Sequence, residues 1–247
     1  MKRKSCSCCL LLCAAVLLCA LSGCAGGKAQ TPVDALDAVR EAALQEKQID
    51  FSELGKINPD ICGWLRIRGI DISYPLVQGV DNEYYLHRTF EKTANFAGCL
   101  FLNYENSRYF TDQNTIIYGH NMKNGSMFGK LSNFRDEKTL GKSKFFWIFT
   151  PDYIYMYRII SGMVVPQVGD TYRTFFSEDN FQEFLDNAAE RSELPQDPVN
   201  VTTDDRIVTL STCMGDSSTR FVLMGKLTQV FLPRDKVEQE NKTGSDG

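Results

Sequence analysis

Three residues of this chain combine a chemically useful side chain with a place at the end of an apolar run. Cys213 follows Ile207-Val208-Thr209-Leu210-Ser211-Thr212 and precedes the turn-rich Met214-Gly215-Asp216-Ser217-Ser218. A thiol at a strand end can face a cleft while the strand holds its backbone still, as a nucleophile requires. Free cysteine is also among the most buried residue types, so composition by itself favours an inert thiol in a core. The chain has only two histidines, so a Cys–His catalyst must draw on His87 or His120. His120 ends Ile116-Ile117-Tyr118-Gly119 and enters the polar loop Asn121-Met122-Lys123-Asn124-Gly125, mirroring Cys213. His87 lies beside Tyr84, Tyr85 and Leu86, where a hydrogen-bonded structural role is the default, so His120 is the preferred partner. Arg220 opens Phe221-Val222-Leu223-Met224 and would return beside the thiol if the two runs pair. A guanidinium there could lower the thiol pKa and donate to a developing oxyanion, although a lone Arg at a strand end is more ordinarily a solvated one.

The elements that must position these groups are short β-branched and aromatic runs separated by turn residues. They are Trp64 to Ile67, Ile70 to Val77, Gly98 to Leu102, Thr115 to Tyr118, Phe145 to Phe149, Tyr153 to Val165, Ile207 to Thr212 and Arg220 to Phe231. Many strands at short intervals predict a barrel or sandwich. One helix interrupts them, because Phe181, Phe184, Leu185 and Ala188 fall at helical spacing behind Glu178 and Asp179, acids suited to a first turn. It should cover one side of the barrel.

The N-terminus reads as an export signal over residues 1–24: Lys2, Arg3 and Lys4 precede an uncharged apolar stretch from Cys8 to Leu21. It closes on Leu21-Ser22-Gly23-Cys24, which resembles a lipobox and marks Cys24 for lipidation. An uncleaved signal anchor is the alternative, and both place the domain outside the cytoplasmic membrane. Residues 25–32 form a tether, and an amphipathic helix is predicted from Thr31-Pro32-Val33-Asp34 through Leu44. The catalytic domain spans 33–232, and residues 233–247 form a polar, flexible tail.

The composition of the 247 residues, 43% hydrophobic and 23% charged, suits one globular domain plus these ends. A net charge of -4, with no basic cluster beyond Lys2-Arg3-Lys4, leaves no footprint for nucleic acid. Six of the nine cysteines lie in the signal or at its end, leaving Cys62, Cys99 and Cys213 for the domain. Three thiols make no disulfide framework, and an odd one in an exported chain is worth testing for reactivity. Neither these cysteines nor the two histidines show C-x-x-C or H-x-x-x-H spacing, so no metal site is expected.

Taken together, these features resemble the sortase family. Thr209-Leu210-Ser211-Thr212-Cys213 matches its T-L-x-T-C signature, with a downstream Arg at a strand start and an upstream His after an apolar strand. The resemblance extends to class B through Asn58-Pro59-Asp60-Ile61-Cys62-Gly63-Trp64, Tyr74-Pro75-Leu76-Val77-Gln78-Gly79, Asp81 to Arg88, and Tyr118-Gly119-His120-Asn121-Met122.

The resemblance implies a mainly β fold, the sortase-type closed β-barrel of about eight strands with N-terminal helices and one helix between strands 6 and 7. It implies a cysteine transpeptidase in which Cys213 attacks, His120 shuttles the proton and Arg220 steadies the oxyanion, with no cofactor. It further implies that Asn82, Leu86, Tyr118, Tyr172 and Ser211 line the groove for a sorting motif. The implied partners are motif-bearing surface proteins, a peptidoglycan cross-bridge or pilin amine, and the cytoplasmic membrane through the N-terminus. The location is the extracytoplasmic face of the membrane of a Gram-positive type bacterium. Rival readings are another secreted cysteine peptidase, an L,D-transpeptidase-like enzyme, or a non-catalytic surface lipoprotein. Papain-like enzymes place Cys before His, the reverse of this order, and the S-x-G-C-x-R texture of L,D-transpeptidases is missing.

Overall fold

The structure, a computed structural model, describes residues 49–195, 197–213 and 218–236, with Cys213 described by its backbone. The signal segment with Cys24, the tether, the helix expected from residue 33 and the tail beyond residue 236 lie outside the described residues.

Eight strands form at the eight predicted runs: β1 (Ile61–Ile67), β2 (Ile72–Val77), β3 (Leu100–Leu102), β4 (Asn114–His120), β5 (Phe145–Phe149), β6 (Ile154–Pro166), β7 (Ile207–Cys213) and β8 (Thr219–Phe231). They close into a barrel in the order β1-β2-β3-β4-β7-β8-β6-β5, with β5 returning to β1. Closure gives every strand two neighbours and removes the open edge strand that would pair with other chains. Most pairs are antiparallel, but β2 with β3 and β4 with β7 run parallel. Alternate residues of each strand point inward, so Leu65, Ile67, Leu100, Leu102, Ile117, Phe146, Ile148, Leu210 and Leu223 form one core.

Three helices accompany the barrel among the described residues: α1 (Phe51–Ile57), α2 (Glu137–Lys142) and α3 (Glu178–Glu190). The predicted helix is α3, between β6 and β7, with Glu178 and Asp179 in its first turn. Phe181, Phe184, Leu185 and Ala188 pack on Met163, Val165, Ile207, Val222 and Met224 on the outside of the barrel. Burying each of the three large side chains contributes about 1.5–3 kcal/mol, enough to hold an element whose outer face is polar. Neither of the two shorter helices is predicted by the sequence pattern. Asp50 caps α1 by accepting from Glu53 N, and Asp136 caps α2 by accepting from Thr139 N.

β3 has only three residues, too few to pair the length of β4, and an asparagine completes the ladder. Asn106 Oδ1 accepts from Ile116 N at 2.8 Å, its Nδ2 donates to Asn114 O at 2.9 Å, and Asn103 N donates to Ile116 O at 2.9 Å. Backbone groups of β4 that β3 cannot reach are thereby satisfied. The strand that carries His120 is held on both sides along its length.

Candidate active site

β4 and β7 are adjacent, parallel and in register from Asn114↔Ile207 to His120↔Cys213. Their last residues therefore stand side by side at one mouth of the barrel. β7 and β8 pair antiparallel through Ser211↔Val222, and Arg220 stands near the start of β8, paired on its other side with Val165 of β6. Thr212 ties this end of the ladder, its hydroxyl accepting from Phe221 N at 3.0 Å and lying 3.2 Å from Phe221 O. His120 and Cys213 are thus backbone neighbours at the ends of β4 and β7, and Arg220 lies near the start of β8, the next strand of the barrel.

Around them lies a cleft of about 370 Å³ lined by Asn82, Leu86, His87, Phe101, Tyr118, His120, Gln167, Tyr172, Ser211 and Arg220. All five predicted groove residues are among them. One wall is the segment containing Asn82 and the 3-10 turn Tyr84–His87. Asp81 fixes the start of that turn by accepting from Tyr84 N at 2.8 Å and Glu83 N at 2.9 Å, and these bonds hold its carboxyl below the ordinary range. Asn82 accepts from Tyr104 N at 3.0 Å and lies 3.4 Å from Asn103 Oδ1 through its amide nitrogen.

The floor is aromatic. Tyr118 packs on Phe101 at 5.3 Å and stacks on Tyr172 at 6.2 Å between ring centroids. Tyr172 comes from the loop after β6, and its hydroxyl lies 3.0 Å from Ser211 Oγ. Asn114, fully buried, holds that loop by donating to Thr171 O at 3.1 Å and Arg173 O at 2.9 Å while accepting from Thr209 Oγ1 at 2.7 Å. The cleft thus offers aromatic faces and hydroxyls together, a mixture able to recognise side chains in pockets.

His120 is half-buried, and its Nε2 lies 2.6 Å from Leu86 O. A carbonyl only accepts, so Nε2 carries a hydrogen, and in the neutral ring Nδ1 is left as the basic nitrogen. The imidazole also faces His87 at 5.7 Å and Phe96 at 5.8 Å. His87, expected to be an ordinary structural histidine, is exposed, stacks on Phe96 at 6.4 Å and contributes to the cleft lining.

Arg220 is half-buried, with Nη1 3.0 Å from Thr219 O. Cys62 and Cys99 are free thiols sealed in the fold, where burial pushes each up to about 12. Both are thereby held as inert thiols at neutral pH. Among the described residues no group of three or more His, Cys, Asp or Glu is placed to hold a metal ion.

Sequence reasoning misses several members of the site. Gln167 and Phe101 line the cleft, but neither stands out by type. The Leu86 carbonyl is beyond its reach because a backbone group has no letter of its own.

The family model for the Sortase domain matches residues 65–228. Sortase B of Listeria monocytogenes is 36% identical over 202 residues, covering 77% of this chain and 79% of that protein. The solved Staphylococcus aureus sortase B-substrate complex superposes with a TM-score of 0.70 at 30% identity, covering 78% of this chain and 91% of that one. A solved sortase B complexed with triglycine matches with a TM-score of 0.69 at 30% identity, covering 78% and 92%.

Proposed function

The chain belongs to the sortase family of cysteine transpeptidases, in its class B, and from that premise we propose that it cleaves a C-terminal sorting motif of exported proteins after Thr and joins them to an amine of the cell wall or a pilin. The observation that supports this reading is the in-register pairing of β4 and β7 up to His120↔Cys213, with His120 and Arg220 both lining one cleft.

In the first half-reaction the Cys213 thiolate adds to the Thr carbonyl carbon, and the carbonyl electrons move to oxygen. Arg220 donates to that oxyanion, a role suited to a group presented by a rigid strand. The C–N bond then breaks as imidazolium His120 gives its proton to the departing amine, leaving a thioester on Cys213. In the second half, the acceptor amine adds to the thioester carbonyl, His120 takes the amine proton, and the thiolate leaves. With Nε2–H held by Leu86 O, Nδ1 is the nitrogen that gives and takes the proton. Asn82, Leu86, Tyr118, Tyr172 and Ser211 hold the motif along the cleft. A substrate complex and a triglycine complex among the similar solved structures support a donor peptide and a small amine as the two partners.

The basic and apolar N-terminal sequence supports an enzyme anchored to the membrane on its outer side, through lipidated Cys24. Incubating the protein with a library of motif peptides and mapping the adduct by mass spectrometry tests the reaction and names the motif. A thioacyl mass on Cys213, absent from Cys213→Ala, is expected. Turnover that survives in Cys213→Ala would overturn the proposal.

A further inference from the structure

The Asn58-Pro59-Asp60 run lies behind one wall of the cleft, and its two polar side chains converge on a single phenol. Tyr85 is fully buried, its hydroxyl donating to Asp60 Oδ2 at 2.6 Å and accepting from Asn58 Nδ2 at 2.9 Å. Asn58, also fully buried, donates to Phe90 O at 2.8 Å, while Asp60 N donates to Asn58 Oδ1 at 2.9 Å. Lys92 Nζ stands 2.9 Å from Asp60 Oδ2. Partial burial pushes the Asp60 carboxyl up, but the bonds from Tyr85 and Lys92 outweigh it and hold the group below its ordinary range. The phenol is thus gripped between a carboxylate and an amide, and moving it would leave buried polar groups unpaired.

The residue after this phenol is Leu86, whose carbonyl meets His120 Nε2. Neighbouring bonds restrict it further: Cys99 N donates to Tyr85 O at 3.1 Å and Asn95 N to His87 O at 3.0 Å. Gly98 closes on the same spot with φ +60, and a Cβ there would come within 2.5 Å of Leu86 O. The turn is clamped before, behind and beside the one carbonyl that touches the imidazole.

We propose that Tyr85 is a positioning residue for proton transfer: pinned by Asn58 and Asp60, it fixes the Leu86 carbonyl and so holds the His120 ring in one orientation and in its Nε2–H tautomer. The inference rests on the reading of His120 as the proton carrier. A carboxylate or carbonyl behind a working imidazole commonly sets which nitrogen is free, and here that carbonyl is set in turn by a buried phenol.

The test uses the full-length protein labelled with 15N in histidine, with Tyr85→Phe and Gly98→Ala as variants. Ring 15N shifts at a pH where the imidazole is neutral report the tautomer, and a sorting peptide gives kcat and KM. In the wild type the His120 ring, told from His87 by a His87→Gln control, should show one tautomer, Nε2–H. Tyr85→Phe should show mixed tautomers and a kcat lower by about tenfold to a hundredfold, with KM within about twofold. Gly98→Ala keeps the phenol hydroxyl but crowds the Tyr85 and Leu86 carbonyls directly, and should move both readouts the same way.

A Tyr85→Phe protein that melts earlier yet keeps the wild-type tautomer and kcat per folded molecule would reduce Tyr85 to a structural role. Should Tyr85→Phe not fold, a folded Gly98→Ala with unchanged tautomer and kcat overturns the proposal equally. A wild type that turns over no sorting peptide would sink the functional reading, while the ring spectra of wild type and variants still decide whether Tyr85 sets the tautomer.

Discussion

Replacing Gly119 by Ala should damage both stability and turnover, because the barrel has no space for a single added carbon next to His120. A Cβ at this position would stand 2.3 Å from Leu100 Cδ2 and 2.8 Å from Phe128 Cδ2. Ordinary carbon contacts are about 3.5–4 Å, so a neighbour or the strand must give by about 1 Å. Leu100 and Phe128 are both fully buried, and Phe128 N is tied to His120 O at 2.9 Å, which leaves little room to yield. Overpacking of this kind costs about 1–3 kcal/mol, offset by at most about 1 kcal/mol from relieving a glycine in a strand. A net loss of up to about 3 kcal/mol follows, and each 1 kcal/mol lowers the melting temperature by about 2–4 °C in a domain of this size. Because Gly119 pairs with Thr212, the strain is placed one residue from both His120 and Cys213. A misplacement of about 1 Å is worth about a hundredfold in rate. Differential scanning calorimetry and peptide turnover measure the two effects separately. A variant with wild-type melting temperature and kcat would show that β4 can shift freely against Leu100 and Phe128, and that the barrel does not fix His120 rigidly.

Arg220→Ala should lose about a hundredfold or more in kcat, roughly 3 kcal/mol, with KM little changed, and Arg220→Lys should fall between it and the wild type; unchanged kcat with a large rise in KM would assign Arg220 to substrate binding. Cys62 and Cys99 have folded pKa values of about 12 against an ordinary value of 9.0, so their contribution to stability is fully present below pH 9 and is lost as pH rises through 12. Denaturant melts of the wild type and of a Cys62→Val, Cys99→Val double variant across that window should show a shallower alkaline decline in the variant, and parallel curves would contradict burial of both thiols. A thiol reagent near neutral pH, followed by peptide mapping, should modify Cys213 well before Cys62 or Cys99; early labelling of either buried cysteine would refute the assignment. Labelled fatty acid should enter the wild type and not Cys24→Ala, whereas a mature chain retaining its first methionine and basic residues points to a signal anchor.

Strands are the most legible part of the fold, since runs such as Phe145 to Phe149 have the β-branched and aromatic texture that a pleated core selects. The boundaries are less so. β2 begins at Ile72 because Arg68–Ile70 form a 3-10 turn ending at Asp71 in the left-handed region, and an Asp with φ 56 is not announced by neighbouring residues. α1 is invisible because none of its residues is buried, and α2 because only Leu140 is, so neither carries an amphipathic pattern. In the site, Cys213, His120 and Arg220 are readable because each sits at the end of a recognisable run. Asn114 and Asn106 are not, since buried asparagines that hold loops and ladders look like surface residues in a sequence.

The order of strands around the barrel differs from their order along the chain, which constrains how the enzyme can be made. β7, the second-last strand synthesised, is the one that inserts between β4 and β8. A nascent chain that stops before residue 207 therefore holds His120 on a strand with a bare flank, and its thiol does not yet exist. On the proposed role of Cys213 such a chain has no activity, and the unpaired sides of β4 and β6 would be sticky toward other chains. Catalytic competence and protection from aggregation thus arrive in the same event, the pairing of the last two strands.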